Sequence, residues 1–237
     1  MIVAIDAGNS RIKWGVREGE TWTSLGNLAT AEAHRLAEAA SLWPPGGEAV
    51  ACCVAGRAAA EAIEAAIAAS GRRLRWLRAS ASACGVRNGY AAPERLGADR
   101  WAALIGARGK TPGACLVVCV GTATTIDWLD AGGLFRGGLI LPGLRLMCTA
   151  LARDTAQLPY ADGEFRAEPR RTEDAIVSGG LHAQAGAIER MFARVCREGE
   201  AVCLLTGGGA GRIAPCLEIP HRLEKTLVLD GLVRSVS

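Results

Sequence analysis

The chain opens on an apolar run at residues 2–5, and the small-residue turn Gly8-Asn9-Ser10 separates it from a second run at 12–16. Two such runs about a turn rich in glycine, asparagine and serine predict a β-hairpin over residues 2–16. Alanine-rich stretches at 29–40 and 58–70 carry apolar and charged residues at helical spacing, and both are predicted helices. Pro44-Pro45-Gly46-Gly47 breaks the chain between them, and residues 49–54 predict a short buried strand. A further helix is predicted over 93–108, after which Thr111-Pro112-Gly113 marks a domain boundary near the midpoint.

Beyond that boundary the pattern begins again. Residues 115–120 repeat the opening strand, Gly121-Thr122-Ala123-Thr124-Thr125 forms a second small-residue turn, and Ile126-Asp127-Trp128-Leu129 follows. Sliding the second half back by 113 positions lays Gly121 on Gly8 and Thr122 on Asn9. The expectation is a diverged duplication rather than a solenoid, whose period would be ~20–50 residues. Residues 137–143 read as strand then turn, 172–197 as one long helix interrupted at Gly179-Gly180, and 201–205 as a strand ending in Thr206-Gly207-Gly208-Gly209. Strands alternating with helices predict an α/β protein, with domains at 1–112 and 113–237.

Composition narrows the classes of function. Half of the 237 residues are apolar and 22% are charged, which excludes intrinsic disorder, and no apolar run approaches the ~18–20 residues of a membrane span. The net charge is +3, but basic residues are scattered and form no block interleaved with aromatics, so neither nucleic acid nor membrane is an expected partner. Only Lys13, Lys110 and Lys225 are lysines, a bias that reads as genomic composition. The nine cysteines show no zinc-ligand spacing, and the first residues lack the marks of a secretory signal; reduced thiols and a cytoplasmic location are expected. Cys115 and Cys119 fall on one face of a predicted strand, where packing accounts for them. His34, His182 and His221 lack any partner pattern and receive no role.

The two glycine-bearing turns carry the chemistry. Glycine lets backbone amides approach phosphate oxygens without a Cβ in the way, so phosphate is the expected ligand. Neither GxxxxGK[ST] nor GxGxxG is present, so two hairpins are expected to share one nucleotide. Asp6 ends the first strand, where its carboxylate suits a hydrated Mg²⁺ bridging the phosphates, and Lys13 suits the transferring group as a point charge. A turn-forming Asp6 and a solvated Lys13 are the plain alternative. The hydroxyls of Thr122, Thr124 and Thr125 in the second turn favour the phosphate reading.

The set Asp6-Ala7-Gly8-Asn9-Ser10-x-x-Lys13, Gly97-Ala98-Asp99-Arg100-Trp101, Gly121-Thr122-Ala123-Thr124-Thr125, Gly137-Gly138…Pro142-Gly143 and Thr206-Gly207-Gly208-Gly209 resembles the type III pantothenate kinases in order and spacing over nearly the whole chain. The resemblance implies an acetate and sugar kinase/actin-like fold: two ribonuclease H-like domains facing a cleft. It implies that Asp6, Ala7, Gly8, Asn9, Ser10, Arg11, Ile12 and Lys13 form the first phosphate loop and Mg²⁺ site, and that Thr122 contacts ATP. Pantothenate would meet Gly97, Ala98, Asp99 and Arg100, with Tyr90 packing on it and Thr172 hydrogen-bonding it. Asp99 would accept the hydroxyl proton as the oxygen attacks the γ-phosphorus, and Arg100 would clamp the carboxylate as one planar group on another. The glycines at 207–209 would lie against the adenine. A homodimer that completes the substrate pocket is implied as well.

Plainer readings stand beside these. Asp99-Arg100 also reads as a surface pair, Thr172 before Glu173-Asp174 as a helix N-cap, and Asp127 as either a metal-facing group or the close of a turn. Many members of the family carry aspartate two residues before the second-loop glycine, where it helps bind a monovalent cation; here Cys119 stands there, and a neutral thiol is a poor ligand for K⁺ or NH₄⁺. Weak or rearranged cation activation is expected. The rival functions are a non-catalytic actin-like accessory protein that binds nucleotide, and a kinase of this fold acting on another alcohol such as a sugar.

Overall fold

The computed structural model describes residues 1–158, 160 and 162–237. In chain order the elements are β1 (Ile2–Ala7), β2 (Arg11–Glu18), β3 (Thr21–Ala29), α1 (Leu36–Ala40), β4 (Glu48–Cys53), α2 (Arg57–Ala69), β5 (Arg73–Trp76), β6 (Ser82–Ala83), β7 (Val86–Asn88), α3 (Ala98–Lys110), β8 (Ala114–Val120), β9 (Ala123–Leu129), β10 (Leu134–Pro142), α4 (Leu144–Asp154), α5 (Thr172–Val195), β11 (Ala201–Thr206), α6 (Ala210–Ile213), β12 (His221–Leu223) and α7 (Leu227–Arg234). They form two compact units. The first holds residues 1–112, 133–135 and 226–237, the second 113–132 and 136–225. The expected division into 1–112 and 113–237 therefore misplaced the tail, because α7 buries its apolar face in the first unit.

In the first unit the sheet runs β3-β2-β1-β4-β5, with β1 antiparallel to β2 and parallel to β4. Side chains alternate across β1: Val3, Ile5 and Ala7 enter a core with Ile12, Leu36, Trp43, Ile63 and Ile67, whereas Ala4 enters another with Val50, Ala102, Leu229 and Leu232. Helices α1 and α2 thus cover one face, and α3 and α7 the other. Each fully buried leucine or isoleucine contributes about 1.5–3 kcal/mol to holding these layers. The two helices on the second face touch backbone to backbone: a Cβ on Gly231 would sit 1.8 Å from the Ala102 oxygen, and one on Gly106 2.2 Å from the Leu227 oxygen. Only glycine fits at either crossing.

The second unit repeats the plan. Its strands run β10-β9-β8-β11-β12, again with an antiparallel hairpin, β8 and β9, and a parallel neighbour, β11. Its core joins Leu116, Val118 and Val120 of β8 to Val177, Leu181 and Ile188 of α5.

Several expected boundaries are corrected. The stretch 29–40 holds the end of β3, a 3₁₀ turn over Thr30–Arg35 and only then α1. The helix expected from 93 begins at Ala98, after a 3₁₀ turn at Pro93–Arg95 and an extended Leu96. Helix α5 runs through Gly179-Gly180 without a break. Gly180 is there for packing, since a Cβ would meet Leu144 Cδ1 at 2.6 Å.

Candidate active site

In the first unit, strand register builds a row of three functional side chains. Asp6 pairs with Lys13 of β2 on one side and Cys52 of β4 on the other, and side chains in register share a face. Two residues on from Ala4, that face is the one α3 covers. The Cys52 thiol donates to Asp6 Oδ1 at 3.5 Å. Burial, reinforced by the Asp99 charge, pushes the Asp6 carboxyl up to about 6 from the ordinary 3.8, against the opposing pull of Lys13 and the Cys52 thiol. Burial, with the charges of Asp6 and Asp99, also pushes the Cys52 thiol well up, which keeps it a neutral donor.

The loop between β1 and β2 is tied from outside. Gly8 N–H donates to the Arg11 oxygen at 3.0 Å, Thr30 Oγ1 donates to the Gly8 oxygen at 2.7 Å, and Thr30 N–H donates to the Ser10 oxygen at 3.1 Å. Asn9 and Ser10 stay exposed. Arg11 donates across to Asn27. Neither Thr30 nor Cys52 was foreseen; each acts from another element, and the only signal available was that β4 would pair with β1.

The segment expected to meet the acceptor starts α3. Gly97 is its N-cap residue, and a Cβ there would lie 2.7 Å from Asp99 Oδ1. That oxygen accepts the Arg100 N–H at 2.9 Å, so Asp99 also favours the positive end of the helix. Arg100 is only 5% exposed, which overturns the surface-pair reading. Its Nη1 donates to the Tyr90 hydroxyl at 2.8 Å, and its guanidinium lies 5.6 Å and 5.8 Å from the ring centroids of Tyr90 and Phe135. Phe135 reaches this position because Leu134 and Phe135 pair with β7, and its oxygen accepts the Gly89 N–H at 3.0 Å. Two aromatic rings, one of them the phenol of Tyr90, thus set the plane of one guanidinium, the arrangement that favours a planar anion.

In the second unit three glycine segments converge. The Thr122 oxygen accepts the Gly143 N–H at 2.9 Å, and the Val120 oxygen accepts the Gly209 N–H at 3.0 Å. A Cβ on Gly143 would approach the Gly121 oxygen to 2.1 Å, and one on Gly207, whose φ is +97°, the Val120 oxygen to 2.3 Å. The result is a wall of backbone suited to close approach by a ligand. Of the three threonines expected there, Thr122 stands at the turn, whereas Thr124 and Thr125 are buried in β9 and the Thr124 hydroxyl donates to Gln184 at 2.7 Å.

Two further expectations are corrected. Asp127 neither ends the hairpin nor closes a turn: it sits within β9 opposite Val117 and is fully buried. Thr172 is not the N-cap of α5; Arg171 holds that position, no side chain caps it, and Thr172 is an exposed first residue. The row equivalent to Lys13–Asp6–Cys52 reads Thr125–Cys119–Thr206, so Cys119 stands where Asp6 stands in the first unit and the second row has no charge. Among the described residues no three His, Cys, Asp or Glu side chains gather into a metal-binding group. A Mg²⁺ would fit at Asp6, whose carboxylate is already made costly by burial and by Asp99.

Sequence comparison places this architecture. A sequence model of the type III pantothenate kinases matches residues 2–194. The type III pantothenate kinase of Aromatoleum aromaticum is 53% identical over 232 residues, covering 98% of this chain and 96% of its own. That of Dechloromonas aromatica is 49% identical over 232 residues, with 98% and 97% covered. Among solved structures, a Sinorhizobium meliloti protein provisionally assigned as a 2-dehydro-3-deoxygalactonokinase superposes with a TM-score of 0.63 at 17% identity, covering 100% of this chain and 98% of that one. The fold is the duplicated ribonuclease H-like fold of the actin-like kinases.

Proposed function

The chain belongs to the type III pantothenate kinase family, and from that premise we propose that it transfers the γ-phosphoryl group of ATP to the primary alcohol of pantothenate, giving 4′-phosphopantothenate on the way to coenzyme A. The observation that carries the reading is that Asp6, Lys13, Asp99 and Arg100 all stand in the first unit, with the charge of Asp99 felt at Asp6.

Asp99 is the proton acceptor for the attacking hydroxyl. Arg100, oriented by Tyr90 and Phe135, binds the pantothenate carboxylate, and Tyr90, Gly97 and Ala98 line the acceptor. Thr172 adds a hydrogen bond. Residues 6–13 hold the phosphates, with Lys13 countering charge on the transferring group, and Thr122 contacts ATP. Asp6 would hold a Mg²⁺, which would supply neutralisation of the charge that builds in the transition state. The working unit is a homodimer in the cytoplasm; no helix among the described residues is long and apolar enough to cross a membrane.

The test measures ADP release with pantothenate, with a panel of sugars and with no acceptor, for the native protein and Asp99→Asn. Pantothenate-dependent release that falls by about 10²–10⁴-fold in the variant, at unchanged far-UV circular dichroism, is expected. Near-full turnover by the variant would remove Asp99 from its role. Sugar-dependent release would replace the substrate, and the absence of release with every acceptor would replace the reaction.

A further inference from the structure

Tyr90, which accepts from the Arg100 guanidinium, is itself held by a side chain that no motif marks. Asn88 is the last residue of β7, opposite Phe135 of β10, and it is partly buried in the first unit. Its Oδ1 accepts the Tyr90 N–H at 3.1 Å, while its Nδ2 donates to the Ser80 oxygen at 3.2 Å and to the Pro93 oxygen at 3.0 Å. An asparagine amide has two N–H donors and one carbonyl, and here each of them is engaged. All the partners are backbone groups, whose donor or acceptor character is fixed, so the orientation of the amide is fixed with them.

The bond to Tyr90 alone would be an ordinary turn, in which an asparagine side chain binds a backbone N–H two residues on. The donated bonds go further. They tie the strand end to a residue eight positions before it and to another five positions after it. The Pro93 oxygen also accepts the Leu96 N–H at 3.2 Å, closing the turn that leads into Gly97 and Arg100. The main chain is pinned on both sides: Asn88 N–H donates to the Ala81 oxygen at 2.9 Å and Gly89 N–H to the Phe135 oxygen at 3.0 Å, an approach that a Cβ on Gly89, 2.2 Å from that oxygen, would forbid. One amide therefore joins the segment that carries Tyr90 to the turn that delivers Arg100.

We propose that Asn88 is a positioning residue of the acceptor pocket: its amide fixes Tyr90, and through Tyr90 the plane in which the Arg100 guanidinium meets a carboxylate. This rests on the kinase reading above. Steady-state kinetics test it with Asn88→Ala, Asn88→Asp, Tyr90→Ala and the double variant Asn88→Ala/Tyr90→Ala, at unchanged far-UV circular dichroism. Asn88→Ala should raise KM for the alcohol that the native protein phosphorylates, pantothenate on that reading, about tenfold, with kcat and KM for ATP changed by less than about threefold. Asn88→Asp keeps an acceptor for the Tyr90 N–H but sets an oxygen against the Ser80 and Pro93 oxygens, so it too should raise that KM about tenfold. On the Tyr90→Ala background Asn88→Ala should add less than about threefold, because side chains in one network do not act independently. Equal rises in KM for both substrates, a native KM in Asn88→Asp, or single effects that multiply in the double variant would each overturn the proposal. Because the measurement follows whichever alcohol the native protein uses, a wrong substrate and a wrong role for Asn88 give different results. Asn88→Asp keeps the native side-chain volume and carries the test if Asn88→Ala does not fold.

Discussion

The Cys52 thiol donates to Asp6 across the parallel β1–β4 pair, at 3.5 Å, and it supports a carboxylate that burial and Asp99 make costly to ionise. A cysteine at this register position supplies a proton that stays in place, because its own ionisation is suppressed by burial and then by the charges of Asp6 and Asp99.

That cost has a measurable sign. The Asp6 carboxyl titrates at about 6 in the folded chain and ordinarily at 3.8, so the folded state binds the proton more tightly. Deprotonation therefore weighs against folding, increasingly from about pH 4 to about pH 6 and by a constant amount above that. Asp6→Asn is expected to unfold at higher urea than the native protein at about pH 7.5, by about 1–3 kcal/mol, with the gap closing towards about pH 4. The same variant should lose phosphoryl transfer. A gap that does not change with pH would show that Asp6 is not the strained group.

Replacement of Arg100 by lysine separates charge from shape. Lysine keeps the cation but loses the fork that Tyr90 and Phe135 orient. Arg100→Lys should raise KM for pantothenate about 10–100-fold, the loss of a charge-assisted pair, with kcat changed far less. Steady-state kinetics in varied pantothenate decides this; an unchanged KM would detach Arg100 from the acceptor.

The uncharged row Thr125–Cys119–Thr206 sets the expected response to salt. Exchanging K⁺ for tetramethylammonium at constant ionic strength should change turnover by less than about threefold, because a thiol offers K⁺ no oxygen. A drop of about tenfold or more would show that a cation site exists despite Cys119.

Glycines at different places should respond to alanine in opposite directions. Gly231→Ala and Gly106→Ala drive a methyl into backbone on the facing helix and should each cost about 1–3 kcal/mol or more. Gly179→Ala meets nothing within 4 Å on α5 and should stabilise by about 0.5–1 kcal/mol. Thermal unfolding reads both, at about 2–4 °C per kcal/mol.

The two hairpins were legible because apolar alternation and small-residue turns are local signals, and the duplication followed from laying one on the other. Strand β3 was not, since it is an edge with mostly exposed side chains, and β5, Arg-Leu-Arg-Trp, carries charge on alternate positions. The alanines of 29–40 suggested helix, but the first turns are 3₁₀. At the site, Asp6, Lys13, Asp99 and Arg100 stand in recognisable motifs. Thr30, Cys52 and Phe135 do not, because each reaches the site through pairing that only the assembled strands reveal. Arg100 was misjudged in its plain reading for the same reason: the rings that enclose it come from residues 90 and 135.

The return of residues 226–237 to the first unit bears on how the protein is made. A ribosome delivers residues 1–112 early, yet the layer that covers Ala4, Val50 and Ala102 includes Leu229 and Leu232, which emerge only after the second unit. The unit begun first during synthesis is thus finished only once the other has been made, and a fragment cut at residue 112 would leave one side of its sheet partly bare.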